Sequence, residues 1–266
     1  MTSLTDETET RPDPRWRSWD GAHGGHVAAL ALTAVRDRFA GGDRAVRTLT
    51  IHFLAPVAAG PLRFSGATPA AGRRSAACLF TGHQDGTPVV FGTALFGSGR
   101  PGPSYEGHPA PRVPGPGDCP VLEPPGPGAG AGFAGQLEIR PATADRPLAG
   151  GERAELTAWV RFTDGRTLDA AAVTTLTDVL PPALYARWRT PRPVPTAELS
   201  VHFTDTLTAA DDDGWALVRI RTQRADDAWA VDDSAVWATD GRLLALGRQA
   251  RVVRAGQTAA AGTVNS

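Results

Sequence analysis

The chain has 266 residues, and its 27 Lys+Arg against 28 Asp+Glu give a formal net charge of −1. Hydrophobic residues make up 41% of the sequence, which is enough for a buried core, while the balanced charge disfavours a nucleic-acid-binding surface or a polybasic membrane patch. Every basic residue is an arginine, so a Schiff-base lysine and a P-loop lysine are both excluded.

The two ends of the chain are predicted to be disordered. Residues 1–15 are polar and carry Pro12 and Pro14, and residues 257–266 form a small polar tail. The N-terminus has no apolar signal segment, and no run approaches the roughly 20 apolar residues that span a membrane. A soluble, cytoplasmic protein is therefore expected.

The first helix is predicted over residues 27–39, because apolar residues recur there at helical spacing. They are Val27, Leu30, Ala31, Ala34 and Val35. A strand is predicted next, since Leu49, Ile51 and Phe53 alternate with polar residues.

Residues 98–135 are dense in proline and glycine and show no periodicity. A structureless loop of this length is uncommon inside one compact domain, so the segment is predicted to be a linker. It divides the chain into an N-terminal half, residues 16–97, and a C-terminal half, residues 136–256.

The second half repeats the pattern of the first. Thr48–Phe53 (TLTIHF) returns as Glu198–Phe203 (ELSVHF), and a second helix is predicted over 169–180. The Asp85-Gly86 turn signal likewise has a counterpart in the second half. A helix followed by antiparallel strands, made twice, predicts an α+β fold.

This tandem pattern resembles the TesB-like, type II acyl-CoA thioesterases, and especially their actinobacterial thioesterase-like branch. The resemblance covers residues 16–97 and 136–254. It implies a double hotdog fold, with two antiparallel sheets each wrapped around a central helix. The motifs that carry it are Gly24–Ala29 (GGHVAA), Leu49–Pro56 (LTIHFLAP), Thr177–Ala183 (TDVLPPA), Glu198–Phe203 and Asp240–Gln249 (DGRLLALGRQ).

The resemblance implies hydrolysis of an acyl-CoA or acyl-carrier-protein thioester by an activated water, without a cofactor. Family members hold that water with an acidic residue, a hydroxyl and a glutamine. Aligned on this sequence, the acidic position falls on Glu198 and the glutamine on Gln249. The hydroxyl position falls on Thr222 or Gln223, because the aligned position is Gln223 and Thr222 carries the only nearby hydroxyl.

The residue types fit this chemistry, although each also has a structural interpretation. Glu198 could act as a general base or face solvent at a strand start, and a buried Gln249 would need hydrogen-bond partners. Thr48 and Ala94 occupy the equivalent positions of the first half. The asymmetry predicts a single active site built on the second half.

Two further segments are candidates for substrate binding. Gly24 and Gly25 precede the first helix, where backbone N–H groups could bind a carbonyl oxygen and His26 could add a donor, or they could form only a tight turn. Asp178 could line the pocket or anchor the two helices to each other.

No metal site is expected, because six scattered histidines and two cysteines lack ligand spacing. A hotdog hydratase is disfavoured, since no histidine follows Asp178 within a few residues. A different acyl-chain reaction in specialised metabolism and a non-catalytic acyl-binding role stay open, as does assembly into a homo-oligomer.

Overall fold

The computed structural model describes residues 7–39, 44–122, 132–204, 207 and 213–255. The predicted tail at 257–266 and the first six residues lie outside this part of the chain. The described helices are α1 (Gly24–Phe39) and α2 (Ala170–Leu176). The described strands are β1 (Thr8–Thr10), β2 (Arg17–Ser18), β3 (Gly21–Ala22), β4 (Ala45–Phe53), β5 (Leu62–Ala71), β6 (Ser75–Gln84), β7 (Thr87–Gly97), β8 (Leu137–Pro141), β9 (Glu155–Phe162), β10 (Thr196–Phe203), β11 (Ala216–Asp226), β12 (Trp229–Ala238) and β13 (Leu243–Val252).

Within the described residues, eleven strands form one antiparallel sheet in the order β1-β5-β6-β7-β4-β10-β13-β12-β11-β9-β8. The predicted combination of helices with antiparallel strands is confirmed. The prediction of two separate sheets is wrong, because β4 pairs with β10 and places Leu49 opposite Val201. This pairing satisfies the backbone groups that two free strand edges would otherwise expose.

The hairpin between β6 and β7 is closed by Asp85 and Gly86. Both residues adopt positive φ, 49° and 78°, which is the backbone that a two-residue type I′ turn requires. Glycine has no side chain to oppose this conformation, and aspartate tolerates it better than most residues. The predicted turn is therefore confirmed.

Both helices lie against one face of the sheet, the inner face, and they contact each other. α1 begins at Gly24, three residues earlier than predicted, and buries Val27 and Val35 completely. α2 is shorter than predicted: Asp169 caps it by accepting a hydrogen bond from the Ala172 N–H at 2.8 Å, and it ends at Leu176, ahead of Pro181.

The described part of the predicted N-terminal tail is ordered. β1 pairs with β5 and forms one edge of the sheet, and Glu9 forms an ion pair with Arg63 at 3.0 Å. Trp16, which follows in a short 3₁₀ helix, is 1% exposed and stacks on His26. Strand pairing and a buried indole therefore hold a segment whose composition alone predicted disorder.

Part of the predicted linker covers the sheet: residues 108–122 form a strap across the outer face in the C-terminal half. The Trp237 indole N–H donates to the His108 carbonyl at 3.0 Å, and the Trp159 indole N–H donates to the Pro114 carbonyl at 2.8 Å. A second apolar cluster, separate from the one beneath the helices, is buried under this strap. Proline-rich chain supplies carbonyl acceptors here without presenting unpaired N–H groups.

None of the helices in the described residues is both long enough and apolar enough to cross a membrane.

Candidate active site

The Asp178 carboxylate is the centre of a buried hydrogen-bonded cluster at the end of α2. Its Oδ1 accepts hydrogen bonds from Gln249 Nε2 at 2.7 Å, from Arg251 Nη2 at 3.1 Å and from Thr196 Oγ1 at 3.5 Å. Its Oδ2 accepts the Gly25 N–H at 2.8 Å. Residues from both halves of the chain therefore converge on one carboxylate, which is 7% exposed.

Gly25 is required at this position by the close approach of the two helices. A Cβ on Gly25 would lie 2.8 Å from the Thr175 carbonyl oxygen and 3.0 Å from the Asp178 Cβ, which is closer than side chains tolerate. The first turn of α1 also carries the positive end of the helix dipole, which favours a carboxylate there. The glycine pair thus lets Asp178 reach the helix N-terminus.

His23 lies beside Asp178 and is neutral. Its Nε2 lies 3.1 Å from the Asp178 carbonyl oxygen, and its Nδ1 accepts a hydrogen bond from the His26 N–H at 3.4 Å. Burial lowers the pKa of His23, and the neighbouring Asp178 only partly opposes this. These partners fit the neutral tautomer that carries its proton on Nε2.

A cavity of about 360 Å³ opens over this cluster, between the first turn of α1, the end of β4 and the segment after α2. Asp178, Thr196, Arg251 and His23 contribute its polar wall, and the remaining lining is largely apolar. The apolar lining includes Phe53, Val57, Phe133, Leu180, Tyr185 and Val194. A small apolar cavity with a few convergent polar groups is typical of a ligand site.

Glu198 and Gln249 lie on opposite faces of the sheet, so the structure does not bring the two predicted catalytic residues together. Gln249 pairs with the fully buried Leu199 in the register of β10 and β13 and is 1% exposed on the inner face. Glu198 pairs with Ala250 instead, lines a groove on the outer face, and accepts a hydrogen bond from Ser200 at 2.5 Å. The two side chains cannot hold one water.

Thr222 and Gln223 are also separated from Asp178. The Thr222 hydroxyl donates to Asp232 Oδ1 at 2.6 Å, which places it behind the cluster and not in the cavity. Gln223 is the extra residue of a β-bulge in β11 and lines the outer groove with Glu198. The position aligned with the family hydroxyl is therefore a bulge residue on the outer face, away from the cavity.

The predicted substrate-binding residues before α1 have different surroundings. Gly24 lines the cavity, whereas the Gly25 N–H is occupied by Asp178. His26 points away from the cavity: it stacks on Trp16 with ring centroids 5.1 Å apart and accepts a hydrogen bond from the Asp13 N–H at 3.3 Å. Burial lowers the pKa of His26 to about 4.

The stability of the fold is expected to fall as the pH drops from about 6.5 towards 4, because the unfolded chain binds the His26 proton at the ordinary histidine pKa and the folded chain does not. The shift corresponds to roughly 3 kcal/mol, present above pH 6.5 and lost by about pH 4. Urea denaturation at a series of pH values measures it. His26→Phe keeps an aromatic ring on Trp16 and should reduce the slope, leaving the share of His23; an unchanged slope would contradict the assignment.

Three residues of the cluster were not predicted from the sequence: Thr196, Arg251 and His23. Thr196 stands two residues before Glu198, so strict alternation predicts the same face for both. A register shift between them in β10 instead turns Thr196 towards Arg251 on the inner face. Such a bulge has no signature in this sequence, although the polar side chains of Gln249 and Arg251 at alternate positions of one strand indicated a polar inner site.

No cluster of histidine, cysteine or carboxylate side chains suited to a metal ion occurs among the described residues.

Comparison with known proteins identifies the family. A family model described as the acyl-CoA thioesterase N-terminal domain matches residues 12–97, and one described as the acyl-CoA thioesterase C-terminal domain matches residues 116–253. A search of curated proteins found no significant match.

Solved structures show the same fold. A conserved protein of unknown function with a hotdog fold, from Alicyclobacillus acidocaldarius, is 25% identical, with a TM-score of 0.87 over 96% of this chain and 95% of that one. A candidate thioesterase II from Thermobifida fusca is 22% identical, with a TM-score of 0.81 over 94% and 92% of the two chains. The acyl-CoA thioesterase II TesB2 from Mycobacterium marinum is 20% identical, with a TM-score of 0.69 over 88% and 90%. Since family models for both thioesterase domains together match most of the sequence, the chain belongs to the acyl-CoA thioesterase family of hydrolases.

Proposed function

We propose that the protein hydrolyses an acyl-CoA thioester in the cavity above Asp178, and that Asp178, Thr196 and Gln249 hold the attacking water. The observation that carries the proposal is that the Thr196 and Gln249 side chains both donate to the buried Asp178 carboxylate, which brings the three residues together. They supply the acid, hydroxyl and amide that the family chemistry needs. Asp178 thereby takes the role that sequence comparison gave to Glu198, and Thr196 the role given to Thr222.

The hydrogen-bonding capacity of Gln249 supports a water at this point. Its Nε2 donates to Asp178, whereas its buried Oε1 accepts no hydrogen bond from any described residue. A buried carbonyl oxygen without a partner costs about 1–3 kcal/mol, so a bound water is favoured there. Asp178 and Thr196 line the cavity, whereas Gln249 is buried against Asp178 and is not part of the cavity wall. The proposed water would enter from the cavity beside Thr196 and donate to Asp178 Oδ1 and to Gln249 Oε1.

In the proposed reaction the water oxygen attacks the thioester carbonyl carbon while Asp178 takes a proton from the water. The carbon–sulfur bond then breaks, and the proton held by Asp178 passes to the departing thiolate, giving a carboxylic acid and a free thiol. General base catalysis of this kind contributes about 10²–10⁴-fold in rate. Gly24 lines the cavity at the positive end of α1, where the developing oxyanion would be stabilised.

The remaining cavity wall supports an acyl chain as the bound group. Phe53, Val57 and Leu180 offer apolar surface next to Asp178. The mouth carries the exposed side chain of Trp19 and the ion pair between Asp20 and Arg254. An apolar interior with a polar entrance suits a thioester whose acyl end is buried and whose carrier end stays in water.

We also propose that the sheet is two hotdog units related by a pseudo-two-fold axis, with one active site between them. Thr50 pairs with Ser200 at the centre of the β4–β10 contact, and their hydroxyl oxygens lie 3.0 Å apart. Leu49 opposite Val201 and Ile51 opposite Leu199 are equivalent pairs about this point. The first half has Ala94 at the position equivalent to Gln249, which supports the predicted asymmetry.

We propose that the protein acts in the cytoplasm, since Cys78 and Cys119 are both free, as thiols are in reducing compartments. Assembly into a homo-oligomer stays a prediction.

The experiment is release of free thiol from acyl-CoAs of graded chain length and from one aromatic acyl-CoA, with the same acyl groups on a carrier protein as a second arm. Turnover of at least one acyl-CoA is expected, and it should persist in EDTA because no metal takes part in the proposed reaction. If only the carrier-bound thioesters were turned over, the substrate would be an acyl-carrier-protein thioester and not an acyl-CoA. No release from either arm by well-folded protein would overturn the proposal.

A further inference from the structure

Arg251 and Asp232 form a buried ion pair directly behind Asp178. Arg251 Nε lies 2.9 Å from Asp232 Oδ2, and both side chains are at most 5% exposed. Asp232 also accepts the Thr222 hydroxyl at 2.6 Å. Neither residue belongs to the acid, hydroxyl and glutamine set of the proposed reaction.

Arg251 reaches two members of that set at once. Its Nη2 donates to Asp178 at 3.1 Å, and its Nη1 donates to the Thr196 hydroxyl oxygen at 3.0 Å. Because the guanidinium donates to the Thr196 oxygen, the hydroxyl proton points elsewhere, and Asp178 Oδ1 accepts it at 3.5 Å. One arginine therefore fixes the carboxylate and the hydroxyl relative to each other.

The charges of this group run negative, positive, negative from Asp178 through Arg251 to Asp232. A buried arginine beside Asp178 alone would neutralise it and make the carboxylate a poor proton acceptor. A second carboxylate on the far side of the arginine offsets that effect. Burying such a triad carries a desolvation cost that well-packed apolar residues would avoid, which indicates a purpose other than stability.

We propose that Arg251 and Asp232 are positioning residues for the hydrolysis: Arg251 orients Asp178 and Thr196, and Asp232 balances the arginine so that Asp178 keeps its capacity to accept a proton from the attacking water. The proposal rests on the function proposed above for Asp178.

Other charged or titratable groups near Asp178 are few among the described residues. His23 is neutral on the α1 side, with its pKa lowered by burial. Tyr185, on the 3₁₀ helix after α2, donates its hydroxyl to the Arg192 carbonyl at 2.6 Å, and burial raises its pKa. The ion pair between Asp20 and Arg254 lies at the exposed mouth of the same cavity, so Arg251 and, through it, Asp232 are the buried charges on which the test acts.

The test is the pH dependence of kcat/KM for two variants on an acyl-CoA that the wild type hydrolyses. Asp232→Asn leaves the arginine unbalanced, so Asp178 stays ionised more easily and the acid limb should move down by about one pH unit. Arg251→Met together with Asp232→Asn removes the closer positive charge as well, so the limb should move up by about one to two pH units. The double change removes the arginine and its outer carboxylate together, so neither of them is left buried without its partner, and Asp178 keeps the hydrogen bonds from Gln249 and the Gly25 N–H.

Arg248 and Asp233 supply a matched control, because they pair on the outer face of the same two strands at 2.6 Å. Asp233→Asn, and Arg248→Met with Asp233→Asn, should leave the acid limb in place. Thermal melts check that all variants are folded.

The inference is supported if the acid limb of kcat/KM moves down in Asp232→Asn and up in the double variant, and stays in place in the two controls. If the wild type is active but neither limb moves, or both move in the same direction, the pair is only structural and the inference is overturned while the proposed function stands. A folded wild type with no thioester hydrolysis would overturn the proposed function itself, and this inference with it.

Discussion

Asp178→Asn is expected to lower kcat by about 10²–10⁴-fold, the contribution of a general base. Asparagine has nearly the same shape and keeps an oxygen for the Gly25 N–H, but its amide cannot take a proton from water. Because Gln249 and Arg251 both donate to the carboxylate at this point, part of the loss will also come from a disturbed cluster. Steady-state thiol release measures the change.

Glu198→Gln is the control for this prediction, since Glu198 is the other acidic candidate and lies on the outer face. It is expected to change kcat by less than about threefold, as substitutions away from a site usually do little. Thermal melts must show both variants to be folded, so that lost stability is not mistaken for lost chemistry. A normal kcat for Asp178→Asn, with a large loss for Glu198→Gln, would move the site to the outer groove.

Trp237→Ala is expected to cost about 3–5 kcal/mol of unfolding free energy, as truncation of a buried aromatic residue does. Trp237 is fully buried between the sheet and the strap. Its ring stacks on His108 with centroids 5.5 Å apart, and its N–H donates to the His108 carbonyl. The substitution leaves a cavity and an unpaired carbonyl in the strap. Urea denaturation measures the loss.

Trp229 on the same strand is the matched control, because it is 51% exposed. Trp229→Ala should cost less than about 1 kcal/mol. Equal losses for the two tryptophans would mean that residues 108–122 do not cover the sheet as described. A loss confined to Trp237 would show that this proline-rich segment is part of the fold.

Much of the architecture could be predicted from the sequence, because it depends on local patterns. Helical spacing from Val27 to Val35 gave the first helix, and alternation around Leu49 and Leu199 gave the central strands. The repeat of TLTIHF as ELSVHF indicated two equivalent units. These patterns can be read from the sequence because a helix or strand that is buried on one side carries apolar residues at the regular spacing of that element.

The composition of the site could not be predicted in full, because it depends on where regular periods break. A register shift in β10 separates Thr196 from Glu198, and a bulge in β11 displaces Gln223. Asp178 was assigned to a helix interior, whereas α2 ends before it and leaves its carboxylate free to reach Gly25. Gln249 was a candidate from the sequence, whereas its hydrogen bond to Asp178 was not predicted.

The strap was missed for a different reason. Residues 98–135 have the composition of a flexible linker, and nothing in their own pattern indicates a buried surface. The strap is held by tryptophans that are distant in sequence and lie on the outer face of the sheet, including Trp159 and Trp237. Their indole N–H groups need hydrogen-bond acceptors, which the strap supplies. Contacts of this kind are set by tertiary structure, and a reading of local composition does not reveal them.

The most direct test of the proposed active site is a crystal structure with a non-hydrolysable acyl-CoA thioether. We predict that the acyl chain lies against Phe53 and Leu180. The carbon that replaces the thioester carbonyl should lie close enough to Asp178 and Thr196 for a single water molecule to bridge the gap. An analogue bound in the outer groove beside Glu198, with the cavity above Asp178 left to solvent, would contradict the assignment of the site.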